Sequence, residues 1–336
     1  MKKWHYPFLL FLIIGTVYIM RQNAPQQTPF QQEEGTVFGT VLHATYQHES
    51  SLHEAIMAEL HQVDTSLSMF NPNSTISRIN RNETDETDSL FRHIFMLSQQ
   101  ISKATDGAFD ITVAPLVNAW GFGFKNSLLP DSAQVDSLRS LIGWQRVSLT
   151  ADGKVRKEDA RTILDCSAVA KGYGSDRVAE LFNRMGIRNY MIEIGGEIVM
   201  KGTNPKGKPW SIGVNKPIED STSTNSEVQT ILQLTDCAVA TSGNYRNFYI
   251  SADGRKLAHT INPKTGYPVQ HSILSSTVIA PTCAMADAFA TAFMVMGLDK
   301  AQEVLSAHPE LKAYFIYADE EGKNQIWASE SLNIKP

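Results

Sequence analysis

The chain has 336 residues, 42% of them hydrophobic and 19% charged, with a net charge of -5 and three cysteines. That length holds one large domain or two ordinary ones, and the balance is globular composition rather than disorder. A net-negative chain without a basic stripe and interleaved aromatics is not a nucleic-acid binder, and Cys166, Cys237 and Cys283 lack the spacing of a zinc site or a disulfide framework.

Lys2 and Lys3 precede an uncharged apolar run from Tyr6 to Met20, followed by Arg21. Residues 1–22 therefore read as a signal anchor in the cytoplasmic membrane, with the rest of the chain on the extracytoplasmic, periplasmic side; a cleaved export signal is the alternative. No small-x-small cleavage site follows the run, and no cysteine is there to receive a lipid. Residues 23–35 read as a linker and 36–334 as the folded domain. Its first strand is expected from Gly35 to Tyr46. Ser51 and Glu54 have capping-box spacing, and Leu52, Ile56, Leu60, Val63 and Leu67 make one apolar stripe on the helix they open. Met69 to Arg78 reads as a turn-rich loop, and a second amphipathic helix runs from Ser89 to Thr105, ending at Asp106-Gly107.

Asp110 is the lone charge in the apolar segment from Ala108 to Gly123, which makes it either a local cap or an acceptor for a ligand. Asp131 starts a short helix, and strands are expected at Arg146 to Thr150 and Arg161 to Leu164. A small-residue loop from Asp165 then enters a helix that Gly186 caps. Free N–H groups at such a helix start, beside Lys171, suit a phosphate, although the P-loop spacing is absent and a solvated lysine is the plainer reading. Gly195-Gly196 between two strand-like runs signals a bulge or close backbone approach. Trp210 to Val214 and Val228 to Leu234 read as strands joined by an exposed loop, Ala240 to Ile250 as a turn feeding a strand, and Asp253-Gly254 as a hairpin turn. His259 precedes a rigid Pro263-Lys264-Thr265-Gly266 turn, as a structural histidine or a general base.

The run Pro281 to Gly297 reads as a helix apolar nearly all round, closed by a left-handed glycine cap. Asp287 is nevertheless the only Asp, Glu, Lys or Arg between Lys264 and Asp299. An ionised carboxylate in an apolar interior needs cationic compensation, and Thr291, four residues on, lies on the same helix face. Two oxygens at one spot suit a hard cation; a capping Asp or one paired with a distant Arg is the alternative. A last helix (Asp299 to Ala307) and a hairpin (Ala313 to Tyr317, Gln325 to Ala328) close the chain. Strand and helix signals do not alternate as βαβ units do, so the expected class is α+β, with mixed, mainly antiparallel sheets and helices packed outside them.

The order of these blocks resembles the ApbE family of FAD:protein FMN transferases over residues 36 to 330. The carriers are Phe38-Gly39-Thr40, Phe70 with the Ser74 to Asn80 run, Asp106 to Asp110, Pro115 to Gly123, Asp165 to Asp176, Gly195-Gly196, Thr241 to Arg246, His259 to Gly266, and Asp287 with Thr291. The resemblance implies a T-fold-like domain that binds FAD and Mg²⁺, moves FMN onto a Thr or Ser hydroxyl of an acceptor redox protein, and releases AMP. It implies metal ligation by Asp287, Thr291 and the Ala168 carbonyl. Flavin and nucleotide contacts would come from Phe38, Phe70, Ala108, Phe109, Asp110, Asp165, Lys171 and Ile261, and the catalytic pair would be His259, as base, and Lys171. Phe38 stands where many members have Met, Ala290 where some have another Asp, and the usual lipid-bearing cysteine is missing. An FAD pyrophosphatase and a non-catalytic flavin carrier are the competing functions.

Overall fold

The computed structural model describes residues 5–22, 28–122, 129–218, 227–244, 248–250, 256–269, 273–330 and 332. Helix α1 (His5–Gln22) comes first, then strands β1 (Phe30–Val37) and β2 (Thr40–Gln47) as a hairpin. Its two-residue turn, Phe38-Gly39, has both φ angles positive (52° and 73°), as the tight turn that matches strand twist requires. The strand thus begins inside the stretch expected to be linker; polar Gln31 to Glu34 can be strand because β1 is an edge with one neighbour.

Helix α2 (His53–Leu67) buries Ile56, Leu60, Val63 and Leu67, but no capping box forms: Leu52 is its N-cap, without a side-chain cap bond. The expected loop after Met69 contains a six-residue helix, α3 (Thr75–Asn80), which Ser74 starts by accepting from Ser77 N–H. Helix α4 (Ser89–Ala104) follows, then α5 (Ala114–Ala119), α6 (Ser132–Arg139), and the short pair β3 (Val147–Leu149) and β4 (Val155–Lys157). Arg161 to Leu164 is not a strand. Instead, the Asn80 side chain bonds both the N–H and the carbonyl of Leu164 and replaces a partner strand.

Helix α7 (Ser167–Arg184) leads to β5 (Tyr190–Ile194) and β6 (Glu197–Lys201), joined by Gly195-Gly196 as a hairpin turn with both φ positive, not a bulge. Strands β7 (Trp210–Asn215) and β8 (Val228–Leu234) pair with each other. Cys237–Gly243 is itself a strand, β9, so Thr241 and Ser242 lie on a sheet strand and not in a turn. Strands β10 (Phe248–Ile250) and β11 (Lys256–Ala258) pair; the turn expected at Asp253-Gly254, the loop at 219–226 and Tyr245 to Asn247 lie outside the described residues. Then come β12 (Ile273–Ala280), α8 (Cys283–Met296), α9 (Leu298–Ala307), β13 (Lys312–Ala318) and β14 (Asn324–Ala328).

Eight strands form one sheet in the order β1-β2-β5-β6-β9-β12-β13-β14, and every described strand pair is antiparallel. This is the α+β class expected. Alternation along β6 sends Val199 toward α7 and Ile198 and Met200 toward Trp210, Ile212 and Val214 of β7. Helix α8 buries eleven of its fourteen residues, so only Met285, Thr291 and Met296 keep partial exposure. Phe293 meets Phe315 edge-on and Phe289 packs against Phe293, each burial contributing roughly 1.5–3 kcal/mol. Gly297 does not adopt the left-handed helical cap: at φ 80°, ψ 173° it is an extended link that sends the chain directly into α9.

Candidate active site

A cavity of about 600 Å³ opens where the N-terminal half of α7, α8, the β5–β6 turn and the segment after β11 converge. Helices α7 and α8 make its floor. Ala168 departs from helical geometry (φ -88°, ψ 16°), and the N–H four residues on, from Gly172, donates to Asp287 Oδ2 at 3.2 Å. The helices meet closely because position 172 is glycine; a Cβ there would lie 2.4 Å from the Cys283 carbonyl oxygen. Asp176 completes the seam by accepting from the first N–H groups of α8, those of Cys283 (2.7 Å) and Ala284 (2.8 Å). Burial raises the Asp176 carboxyl to about 7 against those two bonds.

Lys171 reaches from α7 to Glu197 on β6, Nζ to Oε1 at 2.6 Å. Burial lowers the Lys171 pKa, but the charges of Asp287 and Glu197 outweigh it and the net shift is upward. Glu197 and Asp287 both shift up: burial leads, Asp287 adds to it at Glu197, and Lys171 opposes it at each. Glu197 Oε2 is buried and has no hydrogen-bond partner among the described residues. Thr291 Oγ1 lies 3.2 Å from Ser242 Oγ, and Thr241 and Thr277 share a hydroxyl contact at 2.9 Å, so the sheet side of the floor is lined with oxygens. Among the described residues no group of three His, Cys, Asp or Glu is placed to hold a metal. The oxygens present, which include the Asp287 carboxylate, the Thr291 hydroxyl and the Ala168 carbonyl, nevertheless suit one hard divalent cation that keeps water in its shell.

Asp110 also lines the cavity, and its hydrogen bonds are those of a local cap. Oδ1 accepts from Thr112 N–H (2.8 Å) and Oγ–H (2.7 Å), and Oδ2 from Trp144 N–H (2.9 Å). Burial still raises its pKa. Asp165 makes a similar local turn by accepting from Ser167 N–H at 2.8 Å. His259, half-buried, follows β11 and meets Phe122 edge to face, 6.4 Å between centroids. The turn behind it is fixed by Gly266 N–H to Asn262 O (2.8 Å) and by Trp120 Nε1–H to Gly266 O (2.7 Å).

Ala108, Phe109, Asp110, Asp165, Ala168, Lys171, His259, Ile261, Asp287 and Thr291 thus share one cavity. Phe38 and Phe70 do not line it. The Phe38 ring fills the space a side chain would take at Gly174, with its Cε2 2.6 Å from that ideal Cβ, and Phe70 is 75% exposed. Sequence reasoning missed Glu197 and the capping role of Asp176. A glutamate directly after Gly-Gly and before Ile198-Val199-Met200, all apolar, was the available signal for the first.

The ApbE family model matches residues 38–315. The FAD:protein FMN transferase of Haemophilus influenzae is 36% identical over 304 residues, 86% of this chain and 86% of its own. That of Escherichia coli K12 is 33% identical over 309 residues, 88% and 86% of the two chains. Among solved structures, the flavin transferase ApbE of Vibrio cholerae matches with a TM-score of 0.80 and 32% identity, over 90% of this chain and 98% of its own. The apo form of the Pseudomonas stutzeri flavinyl transferase ApbE gives 0.80 and 29%, over 91% and 96%.

Proposed function

The chain belongs to the ApbE family, and from that premise we propose that its cavity carries out the reaction for which its relatives are named, the transfer of FMN from FAD to a protein. The acceptor hydroxyl of a Thr or Ser attacks the FMN phosphorus, the diphosphate bond breaks, and AMP leaves. The observation that carries the reading is the buried floor: the Lys171 ammonium, the Glu197 and Asp287 carboxylates and a line of hydroxyls facing one cavity. Phosphoryl transfer is mainly positioning and charge neutralisation, and such a floor is built for both. Lys171 presents positive charge to the diphosphate. His259, held on a rigid turn at the more open side, takes the proton of the acceptor hydroxyl. Asp287, Thr291 and the Ala168 carbonyl would hold Mg²⁺, which when bound adds the charge that two phosphates need.

The acceptor is read as an extracytoplasmic redox protein, and the enzyme as held at the cytoplasmic membrane by residues 1–22. Support for the anchor is the Lys2-Lys3 flank and the uncharged run after it. Among the described residues no helix is long and apolar enough to cross a membrane, so fractionation of tagged full-length chain is the direct check of the anchor. For the reaction, the chain is mixed with FAD, Mg²⁺ and a candidate acceptor, and the acceptor is weighed by mass spectrometry. A gain of one FMN with AMP released is expected. AMP release with free FMN and no acceptor gain would make it a pyrophosphatase; neither product would leave a carrier.

A further inference from the structure

We propose that Glu197 is a positioning residue: by holding the Lys171 ammonium it keeps that cation off Asp287 and leaves the Asp287 carboxylate open to a divalent cation. The inference rests on the cation-binding reading of the floor given above. Lys171, Glu197 and Asp287 line the cavity floor, and the buried Asp176 carboxylate caps α8 in the seam behind them. Lys171 precedes Gly172, whose N–H donates to Asp287, so the lysine emerges beside that carboxylate. A four-carbon stem could swing onto it. The ion pair present is instead with Glu197, at 2.6 Å, and among the described residues Lys171 makes none with Asp287.

Glu197 is firmly placed for this task. It follows the Gly195-Gly196 turn directly, its side chain is 5% exposed, and Ser175 Oγ–H donates to its carbonyl at 2.9 Å, which ties β6 to α7. A buried ion pair is poor value as a stabiliser, because desolvation of both charges offsets their attraction and an apolar pair of the same volume does as well. The pair therefore calls for a role beyond stability. If Lys171 lay on Asp287, a divalent cation would meet a neutralised carboxylate and would have to displace an ammonium in a medium that screens charge weakly.

The test uses purified full-length chain and Mn²⁺ alone, with free Mn²⁺ read by its electron paramagnetic resonance signal and folding by thermal melting. Wild type should bind Mn²⁺, and Asp287→Asn should not. Glu197→Gln, nearly the same shape, should weaken Mn²⁺ binding about tenfold or more, the effect of one lost favourable charge contact. Adding Lys171→Met to Glu197→Gln should restore it to near the wild-type value, which loss of a merely structural contact could not do. Lys171→Met alone should bind Mn²⁺ at least as tightly as wild type, and this arm serves if Glu197→Gln does not fold. Unchanged binding in Glu197→Gln, no recovery in the double variant, or weaker binding in Lys171→Met would each overturn the inference while leaving the cation site in place. Mn²⁺ binding that is absent in wild type, or indifferent to Asp287→Asn, would overturn the cation reading itself and the inference with it.

Discussion

Across one cavity the two walls are made in opposite ways. On the floor, Asp287 is 4% exposed and Glu197 also 4%, and Gly172 leaves no gap between α7 and α8. His259, which lines the same cavity, is half-buried: it sits just past a strand end between the buried Ala258 and Thr260, with its imidazole partly exposed. Groups that must be charged and aimed before a diphosphate arrives profit from a dry, rigid setting, where their fields are strong and nothing reorganises. A base that must meet the hydroxyl of a second macromolecule has to be reachable. Rigidity and access cannot be had from one piece of backbone, so the fold divides them.

If that division is right, floor and far wall should fail differently. Asp287→Asn keeps the acceptor for Gly172 N–H but removes the charge; metal-dependent AMP release should drop about 10³-fold without a fall in melting temperature. A loss of fold along with activity would mean the carboxylate is a structural element. His259→Gln should slow FMN transfer about 10²-fold, the lower end for loss of a general base, with FAD affinity by fluorescence anisotropy unchanged. Should FAD binding fall in parallel, the far wall is part of the nucleotide seat and the contrast dissolves. Gly172→Ala forces a Cβ against the Cys283 backbone, and urea denaturation should show a loss of about 1–3 kcal/mol.

The smallest effect concerns Asp176. Its folded-state pKa, about 7, lies above that of an unfolded aspartate, so the folded chain holds this proton more tightly. Its contribution to stability is therefore fully present below the unfolded pKa and is lost as pH rises toward 7. The melting temperature of wild type relative to Asp176→Asn should be highest at acid pH and decline through that window. A flat difference would show that the two helix N–H groups hold the carboxylate ionised throughout.

Much of the floor could be read from the chain because its signals are local. Asp287 in an apolar run, with Thr291 one turn later, needs only helical periodicity to be seen, and Lys171 sits beside a helix start. Glu197 was hidden by distance: its partner Lys171 is 26 residues away, and in isolation it reads as one more polar residue at a strand start. Asp176 looked like one more polar residue on an amphipathic helix, because the N–H groups it caps belong to a helix 107 positions on. Arg161 to Leu164 looked like a strand for the same reason in reverse. Arg161 belongs to a turn, and at Leu164 a side chain, Asn80, supplies the bonds that a neighbouring strand would. Phe38 was assigned to the cavity by resemblance, and packing against Gly174 draws it into the interior.

The first hairpin bears on how the domain would take mechanical load. Strand β1 has a single neighbour, and its pairing runs from Phe30–Gln47 at the open end to Val37–Thr40 at the turn. A pull on the chain before residue 30 loads the Phe30–Gln47 pair first and opens the ladder one step at a time, as a zipper parts, at low force per step. Only after the last step would tension reach Phe38, whose ring is lodged against α7. The strands that carry Glu197 and Ser242 lie further in, so β1 can peel and re-pair while they stay still. The edge strand thus separates a load applied at the N-terminus from the strands that line the cavity.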